Sequence, residues 1–293
     1  IVAGANRMVN ESVPIADARL SDGSRVNVVL YPVALNGPVV TIRKFPSEQI
    51  TMQDLVRLGA LSEETAGFLK MLVVAGYNIF ISGGTGSGKT TLLNALSQFI
   101  PSEERVITIE DNAELQIQGV PNLVRMEARN PNMEGAGEIT IRQLIRTALR
   151  MRPDRIIVGE VRGAETIDMI QAMSTGHKGS LSTGHSDSPR DMLRRLETMV
   201  RMGMDIPLAA IQRQIASAID IIIHVGRLRD KSRKVLEIVE VLDYEDGEIQ
   251  TGCLYEFQET KCRRTDGVIE GRWQKIRPLL HTEKLLSAGY QTP

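Results

Sequence analysis

Apolar and polar residues alternate over residues 15–20 and again over 25–30, with Ser21-Asp22-Gly23-Ser24 between them. That pattern predicts a β-hairpin closed by a tight turn. A third strand is expected over 39–43, after the break at Gly37-Pro38. From Thr51 the periodicity changes, and apolar residues at helical spacing alternate with short runs rich in Ile and Val. Strands are expected over 77–82, 105–109, 155–158, 180–183 and 219–225, and helices over 63–74 and 207–218. Two more helices should open at Thr140 and at Ser188-Pro189. Thr140 with Gln143 is a capping box, and Thr51 with Asp54 is a similar N-terminal signal. The first of these helices carries Ile141, Leu144, Ile145, Ala148 and Leu149 on one face and closes before Pro153. The second carries Leu193, Leu196, Met199 and Val200 and runs to Gly203. An antiparallel pair is expected about Asp246-Gly247, from residues 235–242 and onward from Glu248. Residues 112–138 read as a polar loop, and the chain beyond Gly252 shows no clear pattern.

Regular alternation of helix and strand predicts an α/β fold with a mostly parallel sheet. The expected organisation is a β-rich N-terminal domain over residues 1–45, a linker over 46–50 beginning at Pro46, and an α/β domain over 51–293. A stretch of 45 residues is short for an independent core, and the chain opens at Ile1 rather than Met. The N-terminal domain is therefore expected to be truncated.

Within that framework one segment carries specific chemistry. Gly83-Gly84-Thr85-Gly86-Ser87-Gly88-Lys89-Thr90, followed by Thr91, fills the pattern G-x-x-x-x-G-K-(S/T) between an expected strand and an expected helix. Glycines let consecutive N–H groups turn inward about phosphate oxygens at the positive end of a helix. Lys89 would reach the β- and γ-phosphates and the Thr90 hydroxyl would join Mg²⁺, so ATP with Mg²⁺ is the expected ligand. Ligands in open α/β sheets lie beyond the carboxyl ends of strands. Three other expected strands end there in polar groups: Glu110-Asp111, Glu160 and His185. Glu160 follows Ile156-Ile157-Val158 as a Walker B carboxylate would, placed to polarise water or to hold Mg²⁺ through water. Gly159 stands where many such proteins have a metal-binding Asp. His177 and His185 share one glycine- and hydroxyl-rich stretch, but no third ligand at suitable spacing makes a metal site of them. His185 would instead sense the γ-phosphate; a hydrogen-bonded loop histidine is the plainer alternative, more so for His177. Arg19, Arg25, Arg43, Arg152, Arg162, Arg227 and Arg229 offer charge for a triphosphate, without a way to choose among them.

Composition narrows the remaining readings. The 293 residues carry 35 Lys and Arg against 36 Asp and Glu, a net charge of −1, and aromatic residues make up 4%. No overall field draws nucleic acid or anionic lipid, and few rings are available to stack on bases. Cys253 and Cys262 are too few for a disulfide framework and read as reduced thiols of a cytosolic chain. No run approaches the roughly 18 apolar residues of a membrane span.

Taken together, GGTGSGKTT (83–91), RVITIEDNAELQI (105–117), LIRTALRMRPDRIIVGEVRGAET (144–166) and STGHKGSLSTGHSDSPRDMLRRLETM (174–199) resemble, in order, the Walker A, Asp box, Walker B and His box of the secretion-superfamily ATPases. These are the hexameric motors of type II and type IV secretion and of type IV pili. The resemblance spans about residues 12–245. Segments 18–30 and 218–235 look most like the CpaF/TadA type, which powers tight-adherence (Flp) pili; the VirB-type conjugation ATPases share the same boxes. After His185 the family continues Ala-Asn, where this chain has Ser186-Asp187.

The resemblance implies a RecA-like core with Lys89 and Thr90 on phosphate and Mg²⁺ and Glu160 as the catalytic carboxylate. Glu110 would support water or metal, and His177 and His185 would couple nucleotide state to conformation. Arg19 and Arg25 match arginines that close over the triphosphate, which would make residues 1–45 a lid. It also implies a homo-oligomer, a hexamer, working with an inner-membrane platform protein at the cytoplasmic face of the inner membrane, attached peripherally through partners. Direct nucleic-acid binding is not expected, although a RecA-like translocase would share the core. A nucleotide-dependent binding module that barely hydrolyses ATP is the alternative from another class.

Overall fold

The computed structural model describes residues 8–44, 49–129, 131, 136–260 and 269–291; Pro46 of the expected linker and Cys262 lie outside them. The chain divides into two compact units, Ile1–Gln49 and Ile50–Pro293.

In the first unit, β1 (Ile15–Arg19), β2 (Arg25–Val29) and β3 (Val39–Arg43) form an antiparallel sheet in the order β1-β2-β3. Period-two alternation sends Val26 and Val28 to the buried face, where Val9, Ala18, Leu20 and Leu30 pack against them. The opposite face takes Asp17, Asn27 and Thr41, which are cross-strand neighbours.

The second unit contains α1 (Met52–Arg57), α2 (Glu63–Val74), β4 (Ile79–Gly83), α3 (Lys89–Ser97), β5 (Val106–Glu110), β6 (Leu123–Glu127), α4 (Ile141–Ala148), β7 (Arg155–Val158) and α5 (Thr166–Ser174). Then come β8 (Leu181–Gly184), α6 (Pro189–Gly203), α7 (Leu208–Ala218), β9 (Ile221–Arg227), β10 (Arg233–Glu245), β11 (Glu248–Glu259), β12 (Gly271–Lys275) and α8 (Glu283–Ser287). Nine strands make one sheet, ordered β12-β11-β10-β9-β4-β8-β7-β5-β6. The six from β9 to β6 run parallel, and β10, β11 and β12 extend the sheet antiparallel.

Because strand side chains alternate, the parallel strands feed two cores. Ile79 and Ile81 of β4 join the layer of α2 and α3, whereas Phe80 joins that of α4 to α7. Strands buried on both faces read as the continuous apolar runs seen here. Helix starts follow their caps. Thr51 and Asp54 close a capping box on α1, and Thr140 and Gln143 close one on α4. Ser188 caps α6 with Pro189 at its first position, where a missing N–H costs nothing.

Three elements depart from expectation. The stretch expected to be a polar loop contains β6, an edge strand whose residues are only half covered. Helix α5 had no counterpart in the sequence reading. The chain beyond Gly252 is ordered into the rest of β11, β12 and α8, docked on the core by buried Glu240. That carboxylate accepts from Arg277 Nη2 (2.7 Å) and from the N–H groups of Leu280 and His281.

Candidate active site

Four parallel strands bring their carboxyl ends to one edge of the second unit's sheet, side by side in the order β4, β8, β7, β5. The phosphate loop leaves β4 and runs straight into α3. Gly83 sits at φ +155°, and a side chain there would collide with the Val225 carbonyl oxygen. Gly88 is the N-cap of α3 at φ +101°, a region open to glycine. Helix α3 therefore begins at the loop with its unpaired N–H groups at the loop side. Lys89 is buried, and its Nζ donates to the carbonyls of Gly83 (2.9 Å) and Gly84 (3.0 Å). Gly84, Thr85 and Gly86 are exposed, and Thr90 and Thr91 are half-buried in the first turn of α3.

His185 follows β8. Its Nδ1 lies 3.3 Å from Lys89 Nζ, and since an ammonium only donates, Nδ1 accepts and the network assigns the ring proton to Nε2. Burial, then the neighbouring Lys89 charge, holds His185 below the ordinary histidine value, which favours this neutral ring. Nε2 stands 2.8 Å from Glu160 Oε1, but its N–H does not aim at that oxygen. Glu160 Oε2 accepts from Arg162 Nη2 at 2.8 Å. This bond, ahead of any other influence, raises the Arg162 pKa, while burial lowers that of Lys89.

Glu110 ends β5 with its side chain buried. Its Oε1 accepts the N–H groups of Glu114 (2.8 Å) and Leu115 (2.9 Å), yet burial outweighs these donors and pushes the carboxyl up to about 7. The same residue accounts for Gly159. A Cβ there would sit 2.9 Å from Glu110 Cγ, so an Asp at this position would displace Glu110. The Ser186-Asp187 pair is likewise accommodated: Ser186 Oγ donates to Ser188 O at 3.0 Å, and Asp187 N donates to Asp191 Oδ2 at 3.3 Å.

Between Thr85, Glu160, Arg162 and His185 opens a cavity of about 280 Å³, closed by Arg195 and Met199 of α6. Sequence reading had not selected Arg195; its spacing of four from Met199, on one helix face, was the available signal. The donor set suits a polyphosphate with a hard cation. Ser87 Oγ, Glu160 Oε1 and Glu110 Oε2 are buried and lack hydrogen-bond partners among the described residues, beside a buried ammonium. Thr90 and, through water, Glu160 are the groups that would hold Mg²⁺.

Two sequence candidates lie elsewhere. His177 precedes β8 and so sits at the amino edge of the sheet, opposite the phosphate loop, where its ring contacts the Ala172 carbonyl (3.2 Å) at the end of α5. Its neighbour Lys178 is packed beside Gly76, just before β4. The structure does not bring His177 to the site. Arg19 and Arg25 belong to the first unit, as direct cross-strand partners, and Arg25 also faces Arg43.

Known proteins resemble this chain over most of its length. A family model described as type II/IV secretion system protein matches residues 2–288. A putative conjugal transfer protein of Mycobacterium tuberculosis is 38% identical over 256 residues, covering 85% of this chain and 72% of the relative. The type IV secretion system protein PtlH of Bordetella pertussis is 34% identical over 251 residues, covering 77% of this chain and 74% of its own. Among solved structures, the VirB11 ATPase of the Brucella suis type IV secretion system superposes with a TM-score of 0.55 at 30% identity, covering 81% of this chain and 79% of that one. Nearly its full length therefore places this chain in the type II/IV secretion system protein family.

Proposed function

We propose that the chain is a Mg²⁺-dependent ATPase whose hydrolysis cycle drives a secretion or conjugation machine. The observation that carries this reading is the contact chain from the phosphate loop through Lys89 and His185 to Glu160, across three adjacent strand ends. In this reading Lys89 neutralises the terminal phosphates. Glu160, held at one oxygen by Arg162 and with His185 against the other, would orient the attacking water. Neutral His185 reports the γ-phosphate to α6 through the short turn between them. Mg²⁺, when bound, supplies charge neutralisation across the phosphate oxygens, the main requirement of phosphoryl transfer.

Arg19, Arg25 and Arg43 form one cross-strand row in the first unit. That the first unit serves as an arginine-bearing lid on the triphosphate is part of the same proposal and rests on the resemblance. Assembly as a hexamer, with an inner-membrane platform protein as partner, belongs to the same proposal. The names of the relatives, conjugal transfer and type IV secretion, favour a conjugation-type machine over the tight-adherence pilus. No helix among the described residues is long and apolar enough to cross a membrane.

Steady-state phosphate release by the purified chain tests the reading. Glu160→Gln should bind ATP like the native protein and lose turnover by about two orders of magnitude or more. Undiminished turnover in that variant would remove Glu160 from the chemistry. A single turnover without a steady state in the native chain would favour the binding module.

A further inference from the structure

We propose that Arg233, the first residue of β10, is a positioning residue that fixes the Gly86–Ser87 peptide of the phosphate loop and thereby sets affinity for the β-phosphate of a nucleoside di- or triphosphate. The inference rests on the nucleotide reading above and goes beyond it to a residue 147 positions away in sequence.

Arg233 Nε donates to the Gly86 carbonyl oxygen at 2.8 Å. Its side chain runs along the loop, with Cδ 3.5 Å from where a Cβ of Gly88 would stand. The peptide plane explains why this matters. In a trans peptide the C=O and the following N–H point in opposite directions. Holding the Gly86 carbonyl outward, toward β10, therefore turns the Ser87 N–H inward, toward the hollow of the loop. That N–H has only a long contact, 3.4 Å, to the Gly84 carbonyl, so it can be given to a phosphate oxygen. Glycines at φ +70° and +101° flank Ser87, and glycine backbone rotates with little steric resistance. Without an external grip this peptide has weak orientational preference, and nucleotide binding would carry the cost of ordering it.

The grip is itself anchored. In the turn between β9 and β10, Asp230 accepts from Ser232 N (2.9 Å), Ser232 Oγ (2.7 Å) and Ile269 N (2.9 Å). Next to Arg233, Lys234 Nζ donates to Gly59 O (2.8 Å) and Val235 N to Ala60 O (2.8 Å). The antiparallel half of the sheet and the C-terminal segment thus hold the arginine that holds the loop. Displacement of that half-sheet would be felt as a change in nucleotide affinity.

The test is titration of the full chain with Mg-ADP and with Mg-ATP by calorimetry, for the native protein, Arg233→Gln and Arg233→Lys. Arg233→Gln should bind both nucleotides about tenfold more weakly, the worth of one charge-assisted hydrogen bond at an exposed site. The ligand-free Tm should not change. Arg233→Lys, which restores a cationic donor, should recover part of the loss. Native-like affinity in Arg233→Gln overturns the proposal alone. So does a loss confined to ATP, which would put Arg233 on the γ-phosphate instead. A native chain that binds neither nucleotide overturns the nucleotide reading and this proposal with it.

Discussion

Glu110→Gln isolates the electrostatic cost built into the candidate site. In the nucleotide-free protein burial pushes the Glu110 carboxyl up to about 7 from an ordinary 4.5. The folded state therefore binds this proton more tightly than the unfolded chain. Between those two values the unfolded state has lost the proton and the folded state keeps it, so stability falls as pH rises. The contribution is fully present below about pH 4 and gone above about pH 8. At 1.36 kcal/mol for each pH unit of difference, the total is about 3 kcal/mol. Gln keeps the Oε1 acceptor for Glu114 and Leu115 N–H, while its amide nitrogen replaces Oε2, which has no partner among the described residues. An unpaired buried amide costs about 1–3 kcal/mol, but that cost does not depend on pH. The chain has one tryptophan, Trp273 on β12, so its fluorescence reports urea unfolding of the second unit specifically. The stability of Glu110→Gln relative to the native chain should rise by about 3 kcal/mol from about pH 4 to about pH 8. A difference that stays flat with pH would mean the two backbone donors cancel burial and Glu110 is an ordinary ionised carboxylate.

Two other perturbations follow from contacts in the structure. Gly159→Ala places a methyl 2.9 Å from Glu110 Cγ and should cost about 1–3 kcal/mol in thermal unfolding, with turnover reduced as Glu110 shifts. Most of the lost stability should return in the double variant with Glu110→Ala, and a single variant as stable as the native chain would show the contact to be slack. Glu240→Ala leaves Arg277 and two N–H groups without their shared acceptor and should destabilise by about 3 kcal/mol. It should also open residues 269–291 to limited proteolysis; a tail as resistant as in the native chain would place its anchor elsewhere, with the Trp273 Nε1 bond to Val235 O (2.7 Å) as the next candidate.

What could be read from sequence, and what could not, divides along the range of the interaction. The phosphate loop is legible because its chemistry demands glycines, a lysine and a hydroxyl at fixed local spacing, between a strand and a helix that announce themselves by periodicity. The parallel strands are legible because burial on both faces leaves an unbroken apolar run. Strand β6 is not, since a half-covered edge strand shows neither a continuous run nor clean alternation. Gly159 illustrates the opposite case, where a residue that looked like a missing ligand is explained by Glu110 on the neighbouring strand. Arg233 reaches the site through tertiary packing, and no local spacing marks it out; Arg195 shares a helix face with Met199, but nothing local ties that face to the phosphate loop. The two histidines make the point most sharply. His177 and His185 lie in one stretch of similar composition, which invites a shared role. Yet the four residues of β8 lie between them, and at about 3.3 Å per residue a strand of that length carries the chain some 13 Å across the sheet. Lys89 and Glu160 lie at the carboxyl end, so His185 meets them, while His177 at the amino end lies against the Ala172 carbonyl at the end of α5. Composition suggested a pair; the direction of one strand separates them.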